Sequence, residues 1–238
     1  MAEKKKETKE ATASVEVIKP EQRQEGRAYG LLEGIKAAGQ ASKQRKFTQS
    51  WDLSINLKGV DLKKPENRFS SSIPLPHGKG RDAKVAVFAD LLAKEAEEGA
   101  DLVIRKNEID GLAKDKKKLK KLMDEYDWFF SEASLLPGVV KSMGAVMGPR
   151  GKVPKPIPPN AKPKPMIIAS KKMVRVALKD TPVIHVTIGN EKMPEEQVAA
   201  NAEAVFNFVK EKIPKGVNSI KSVRIKLTMG PSVKVAMK

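Results

Sequence analysis

The chain has no cysteine and only two histidines, His77 and His185, in 238 residues. Missing thiols exclude disulfide frameworks, thiolate zinc sites and cysteine nucleophiles. Two histidines leave little from which to build a metal cluster or a His-based relay. Aromatic residues make up 5% of the chain, too few for a surface on which many bases stack. No apolar run approaches the ~20 residues needed to span a bilayer. The opening Met1-Ala2-Glu3-Lys4-Lys5-Lys6-Glu7 has no apolar stretch of the signal-peptide kind. Neither G-x-x-x-x-G-K-[ST] nor G-x-G-x-x-G occurs. The expectation is a soluble cytoplasmic protein, monomeric when free, with no cofactor, no metal and no membrane contact.

What is abundant is positive charge. Lys and Arg number 46 against 29 Asp and Glu, a net +17. Uncompensated charge repels itself in the compact state, and polyanions relieve that repulsion. Inside a cell the commonest polyanion is nucleic acid, so the charge points to an RNA or DNA partner.

Residues 1–14 are mostly Lys, Glu, Thr and Ala and read as a disordered tail. Helix-compatible sequence runs from Pro20 to about Ser42, with Gly26, Gly30 and Gly34 four apart on one face. That spacing fits close packing against a sheet, or simply a weak helix. Trp51, Leu53, Ile55 and Leu57 then alternate with polar residues, the period of a strand with one buried face. Phe69 to Leu75 reads as a second strand. Between 82 and 140 short apolar runs (85–89, 101–104, 126–130) alternate with helical stretches (91–98, 109–123, 135–140), an α/β unit with a parallel sheet. Residues 149–165 hold seven of the sixteen prolines, and 141–164 has six basic residues and no acid. Such a segment is expected to be an extended loop or interdomain passage, facing solvent or phosphate. Beyond it, period 2 returns at Val174–Leu178 and Val183–Ile188, a helix opens after Pro194, and Ile220 to Leu227 is a strand that turns back at Met229-Gly230-Pro231.

The fold class is therefore α/β: an α+β first domain (15–75 with 166–238) into which a three-layer, Rossmann-like second domain (76–165) is inserted. Both expected crossings are rich in proline.

Candidate chemistry concentrates near the end of the chain. From Lys210 to Lys238 there are eight basic residues and one acid. Alternation puts Ser222, Arg224, Lys226 and Thr228 on the face opposite Val223, Ile225 and Leu227. Charges for phosphates and hydroxyls for sugars or base edges share that face. In the turn Thr228-Met229-Gly230-Pro231-Ser232, Gly230 leaves room for close backbone approach and Met229 offers an apolar surface. A second basic cluster, Lys43-Gln44-Arg45-Lys46, ends in Phe47. Structured RNA read by shape and backbone suits this composition better than a single-strand platform. His185 reads as a structural histidine, and the loops 77–81 and 144–151 as weak phosphate-loop candidates.

Lys46-Phe47, Ser50-Trp51-Asp52-Leu53, Leu75-Pro76-His77-Gly78, Met147-Gly148-Pro149-Arg150-Gly151 and Thr228-Met229-Gly230-Pro231-Ser232, in that order, resemble the large-subunit ribosomal protein one family, the ribosomal stalk proteins. The resemblance covers about residue 15 to the end and looks like the archaeal and eukaryotic branch. It implies two domains joined by a hinge, binding to large-subunit stalk rRNA near the tRNA exit site, help in releasing deacylated tRNA, and repression of the protein's own mRNA. It places Lys46, Phe47, Ser50, Ser222, Thr228, Met229 and Gly230 on an RNA-contact surface, with Thr181 beside Pro182 as a further position. With Lys43, Arg224, Lys226, Pro231 and Ser232 from the basic cluster, the strand face and its turn, these form the candidate site. Rival readings are a general RNA chaperone, or a nucleotide-binding enzyme using 76–165.

Overall fold

The computed structural model describes residues 29–158, 162–213 and 216–237. The 1–14 tail, Gly26 and the start of the first helical stretch lie outside them.

Helix α1 (Leu31–Gln40) precedes strand β1 (Ser50–Leu57). β1 alternates half-buried and buried residues along its whole length. Its buried stripe, Trp51, Leu53, Ile55 and Leu57, is the one the period predicts. β1 pairs antiparallel on both sides, with β8 (Val183–Asn190) and with β9 (Ile220–Leu227). β10 (Val233–Val235) completes a sheet of order β10-β9-β1-β8. α1 and α7 (Glu195–Lys212) pack over its apolar face, burying Ile35, Ala38, Val198, Ala202, Val205 and Val209 with the strand residues. Carboxylates Glu195 and Glu196 lie in the first turn of α7 and Lys210 and Lys212 in its last, the order the helix dipole favours. Gly34 is required by α1 itself: a Cβ there would lie 2.7 Å from Cγ2 of Val235. The expected close packing against a sheet is thus found, at the β10 edge. β2 (Phe69–Pro74) and β7 (Met173–Leu178) form a separate two-stranded ribbon whose Ile73, Val174, Val176 and Leu178 join the same core.

Between β2 and β7 runs the parallel sheet. β3 (Val85–Phe88), β4 (Leu102–Ile104), β5 (Trp128–Glu132) and β6 (Lys155–Ile157) lie in the order β4-β3-β5-β6. β3 and β5 are buried on both faces, as expected of parallel strands covered by helices. Val85, Val87, Trp128, Phe130 and Ile157 meet α2 (Ala93–Glu97) and α6 (Pro163–Lys171). Ala86, Phe88, Ile104 and Phe129 meet α3 (Lys106–Lys114), α4 (Lys116–Glu125) and α5 (Leu136–Arg150). The fold is α/β, with three layers in this part.

Three expectations fail locally. The 109–123 stretch is two helices, because Asp115 accepts the backbone N–H groups of Lys117 and Lys118 and so caps α4. The helix begun near 135 continues through Gly144 and Gly148 to Arg150, with Pro149 in its last turn. Residues 149–165 are not one extended loop. Pro156 sits in edge strand β6, where a missing N–H is tolerated, and Pro163 and Pro165 open α6, where the first N–H groups have no partner anyway.

Asn201 of α7 is fully buried and ties three segments together. Its Nδ2 donates to Gly78 O and Ile188 O, both at 2.8 Å, and its Oδ1 accepts from His77 N at 3.1 Å. Replacing it by Ala orphans those backbone groups. Asn201→Ala is expected to lose about 2–4 kcal/mol of unfolding free energy, scaled from the cost of unsatisfied buried groups, in urea denaturation. A loss below about 0.5 kcal/mol, the level of ordinary surface changes, would contradict this account.

Candidate nucleic-acid interface

The outward face of the four-stranded sheet carries the polar half of each alternation. The registers set it in rows: Thr187, Asp52 and Lys226; then His185, Ser54, Arg224 and Lys234; then Asn56 and Ser222. Short side chains fill the middle of the face, and cations stand along β9. Thr187 donates to Asp52 at 3.0 Å and Asn56 to Ser222 at 2.9 Å. Ser54 Oγ is 3.0 Å from His185 Nδ1. Asp52, Ser54, Asn56, His185 and Thr187 line a groove of about 600 Å³ with Arg224, Lys226 and Ser232. His185 is therefore exposed in the groove wall, hydrogen-bonded to Ser54. Its neighbours Ile184 and Val186 are the buried ones.

At one end of this face two distant segments lock together. Thr228 N donates to Ser50 O at 3.0 Å, and Ser50 N donates to Thr228 Oγ1 at 3.0 Å. The Thr228 hydroxyl in turn donates to Ser50 O at 3.2 Å. Gln49, wholly buried, completes the corner: its Oε1 accepts from Met229 N at 3.2 Å and its Nε2 donates to Lys43 O at 3.2 Å. Lys43, Lys46, Phe47 and Ser50 thus belong to the strand entry that Thr228 and Met229 are bonded to. Phe47 and Met229 are 52% and 59% exposed, apolar surfaces flanking a basic corner. Lys226 donates to Thr228 O at 3.3 Å and Arg224 to Ser232 at 3.4 Å, so cations also brace the turn; Pro231 lies exposed within it.

Gly230 serves a different purpose from the one its sequence position suggests. A Cβ there would meet Ser42 Oγ at 3.0 Å and Ser42 Cβ at 3.2 Å. The space left by the absent side chain is occupied by the chain's own Ser42. Thr181 is not brought to the corner. It is exposed in the turn between β7 and β8, beside Leu57, whose N–H bonds Pro182 O. β1 separates the two ends by about 23 Å at the usual rise per residue. Ser222, paired with Asn56, lies toward the Thr181 end.

Gln49 was not among the candidates. Its signal was present: it stands two residues before Trp51, in phase with the buried stripe of β1, where a polar residue must have partners.

Of the two candidate phosphate loops, 144–151 lies in α5 and its cap, and 77–81 is held by the fold. His77 N and Gly78 O are held by Asn201, and Asn190 donates to Gly80 O at 2.7 Å. At the carboxyl ends of β3 and β5, the place where open parallel sheets hold ligands, Glu132 is 3% exposed. It accepts from Asp90 N at 3.1 Å, Leu91 N at 3.2 Å and Ser134 Oγ at 3.0 Å. Burial pushes its carboxyl pKa up, but these donors outweigh burial and hold it below the usual value. The backbone N–H groups that a nucleotide phosphate would need are already bonded. Among the described residues no group of His, Asp and Glu side chains is placed to hold a metal ion.

A sheet face of small polar residues edged with cations, ending at a basic corner with two exposed apolar side chains, has the chemistry that nucleic-acid-binding surfaces use. Residues 39–231 match the model of the Ribosomal protein L1p/L10e family. The chain is 48% identical over 206 residues to the large ribosomal subunit protein uL1 of Methanocaldococcus jannaschii, covering 86% of this chain and 94% of that one. The protein of the same name from Methanothermobacter thermautotrophicus is 45% identical, covering 86% and 98%. That of Pyrococcus horikoshii is 44% identical, covering 86% and 94%. The chain belongs to this ribosomal protein family, as its motifs implied.

Gln49→Ala should free the Met229 amide while leaving the Thr228 amide in its bond to Ser50. Native-state hydrogen exchange is expected to speed up about tenfold or more at Met229, as loss of one buried hydrogen bond implies. Equal acceleration at both amides would mean that the whole corner, rather than its Gln49 brace, had come apart.

Proposed function

We propose that this chain is a non-catalytic, structural constituent of the large ribosomal subunit in the cytoplasm, and that it binds the stalk rRNA near the tRNA exit site. The observation that carries the RNA reading is the corner where Gln49 and Ser50 are bonded to Thr228 and Met229. It sets Phe47 and Met229 beside Lys43, Lys46, Arg224 and Lys226 at the end of a polar groove. Lys and Arg supply phosphate affinity, and the rigid turn with its apolar side chains supplies fit to one RNA shape. Thr228 acts through the turn, since its hydroxyl is committed to Ser50. Ser222, and Thr181 beyond it, extend the contact along the face.

Two further roles belong to the same reading: release of deacylated tRNA, through movement of the rRNA stalk, and repression of the protein's own mRNA, through a segment imitating the rRNA site. We also read the chain as two hinged units, the parallel-sheet part inserted into the other. α6 goes with the insertion, because Ile167 packs in its core; the return boundary is then near Lys172 rather than 165.

Competition between a stalk rRNA fragment and a length-matched structured RNA at moderate salt tests the reading. A preference of about a thousandfold is expected, taking specificity ratios of DNA readers as guide. The log–log salt slope should be about −4 to −7 for five to eight neutralised phosphates. Met229→Ala should weaken the specific complex much more than the nonspecific one, and Lys234→Ala both alike. Equal affinity for both RNAs, lost together as salt rises, would leave only a general RNA chaperone.

A further inference from the structure

The basic, proline-rich stretch that the sheet face does not use contributes to a second cationic site, where β6 meets the β2–β7 ribbon. Lys155 of β6 reaches across to the ribbon and donates to Ser72 Oγ at 3.0 Å. Its ammonium stands 4.5 Å above the centre of the Trp128 ring. Arg175, the cross-strand partner of Ser72, donates from Nε to Ser70 Oγ at 3.0 Å. Its guanidinium lies against Gly151, which ends α5 with φ +67°; a Cβ there would be 2.5 Å from Arg175 Nη1. The glycine thus serves both the left-handed backbone and the close approach of the cation.

Neither cation has a counter-ion. Both are absent from the ion pairs among the described residues, while Arg81, Lys84, Arg150 and Lys171 each have one. Burial foremost, then the Arg175 charge, lowers the Lys155 pKa, and burial lowers that of Arg175. The indole N–H of Trp128, which is 8% exposed, is the one buried side-chain polar atom among the described residues with no acceptor. Two half-buried like charges held in place by serines and a glycine are destabilising unless an anion completes them.

We infer that Lys155 and Arg175 form a phosphate-binding site at this junction, built from the parallel-sheet part and the ribbon together. A tetrahedral phosphate suits the planar guanidinium fork of Arg175 and the ammonium of Lys155. The phosphate comes either from the RNA backbone, which rests on the function proposed above, or from a free phosphate. An anion bound there links the two parts of the chain, since its ligands come from both.

Full-length protein and its Lys155→Gln and Arg175→Gln variants test this, with thermal melts as the folding control. Ser72→Ala removes the Lys155 hydrogen bond but keeps both charges, and so isolates the effect of packing. Binding to the stalk rRNA fragment is measured across salt, and inorganic phosphate is titrated against Trp128 emission in a Trp51→Phe background. If an RNA phosphate occupies the site, each Gln variant flattens the log–log slope by about 0.9, while Ser72→Ala and Met229→Ala leave it unchanged. A saturable response to inorganic phosphate, lost in both Gln variants with RNA slopes unaltered, assigns the site to free phosphate. Unchanged slopes with no phosphate response overturn the site, and a retained preference for stalk RNA in that case leaves the proposed function standing. Loss of that preference in the unmodified protein defeats the function instead, and the phosphate titration still decides the site.

Discussion

The register of β1 against β9 is the constraint from which the interface follows. Trp51 pairs with Leu227, so Gln49 and Ser50 at the start of one strand meet Thr228 and Met229 at the end of the other. A slip of one residue would turn Val223, Ile225 and Leu227 to water and Arg224 and Lys226 into the core. The buried stripes of both strands forbid it. The same apolar pattern that builds the core therefore fixes which cations face outward, and in which row. β1 is central, paired on both sides, so the groove residues Asp52, Ser54 and Asn56 stand on the most restrained strand of the sheet. An interface that reads shape needs this rigidity, because every side chain that must be ordered on binding subtracts from affinity.

The two halves of the fold treat anions in opposite ways. In the parallel sheet, the edge that doubly wound proteins give to nucleotides is closed by Glu132, whose carboxylate takes the backbone donors of Asp90 and Leu91. An architecture associated with cofactors is here a scaffold, which is why fold alone says nothing of chemistry. On the antiparallel sheet the arrangement is reversed. Asp52 is the one carboxylate lining the groove, and Thr187 donates to it, while Arg224 and Lys226 brace the turn. Positive charge is thereby left facing outward where the corner is stiffest.

Much of this was legible from residues alone, for definite reasons. β1, β7, β8 and β9 were readable because one face of each is buried and the period is 2. The α7 stripe was readable because its apolar spacing is 3.6 and carboxylates mark its start. The misreadings came where a local rule met a tertiary exception. The proline content of 149–165 suggests irregular structure throughout, yet Pro149, Pro156, Pro163 and Pro165 sit at a helix end, an edge strand and a helix start, the positions that tolerate them. Gly230 was taken as an opening for a ligand, and only the fold reveals Ser42 in that space. Gln49 is the instructive omission: its partners Lys43 and Met229 are respectively near and far in sequence, and no local pattern discloses the second.

The net +17 of the chain is not spread as a uniform coat. Several cations are used internally: Lys152 donates to Met123 O and Tyr126 O at the end of α4, and Arg150 pairs with Asp124 at 2.7 Å. The Arg150–Asp124 pair compensates charge within the fold, and an exposed pair of this kind adds little stability. Among the cations without an ion pair, Arg224 and Lys226 of β9 and Lys155 with Arg175 are those that backbone and small side chains hold in place. Fixed like charges raise the energy of the free protein more than mobile surface lysines do, since they cannot move apart. In the function proposed above, that energy is released when the polyanion binds, so the strain of the free state appears as affinity in the complex. Placing the cations on a rigid frame makes the gain depend on an RNA whose phosphates fall at the matching positions.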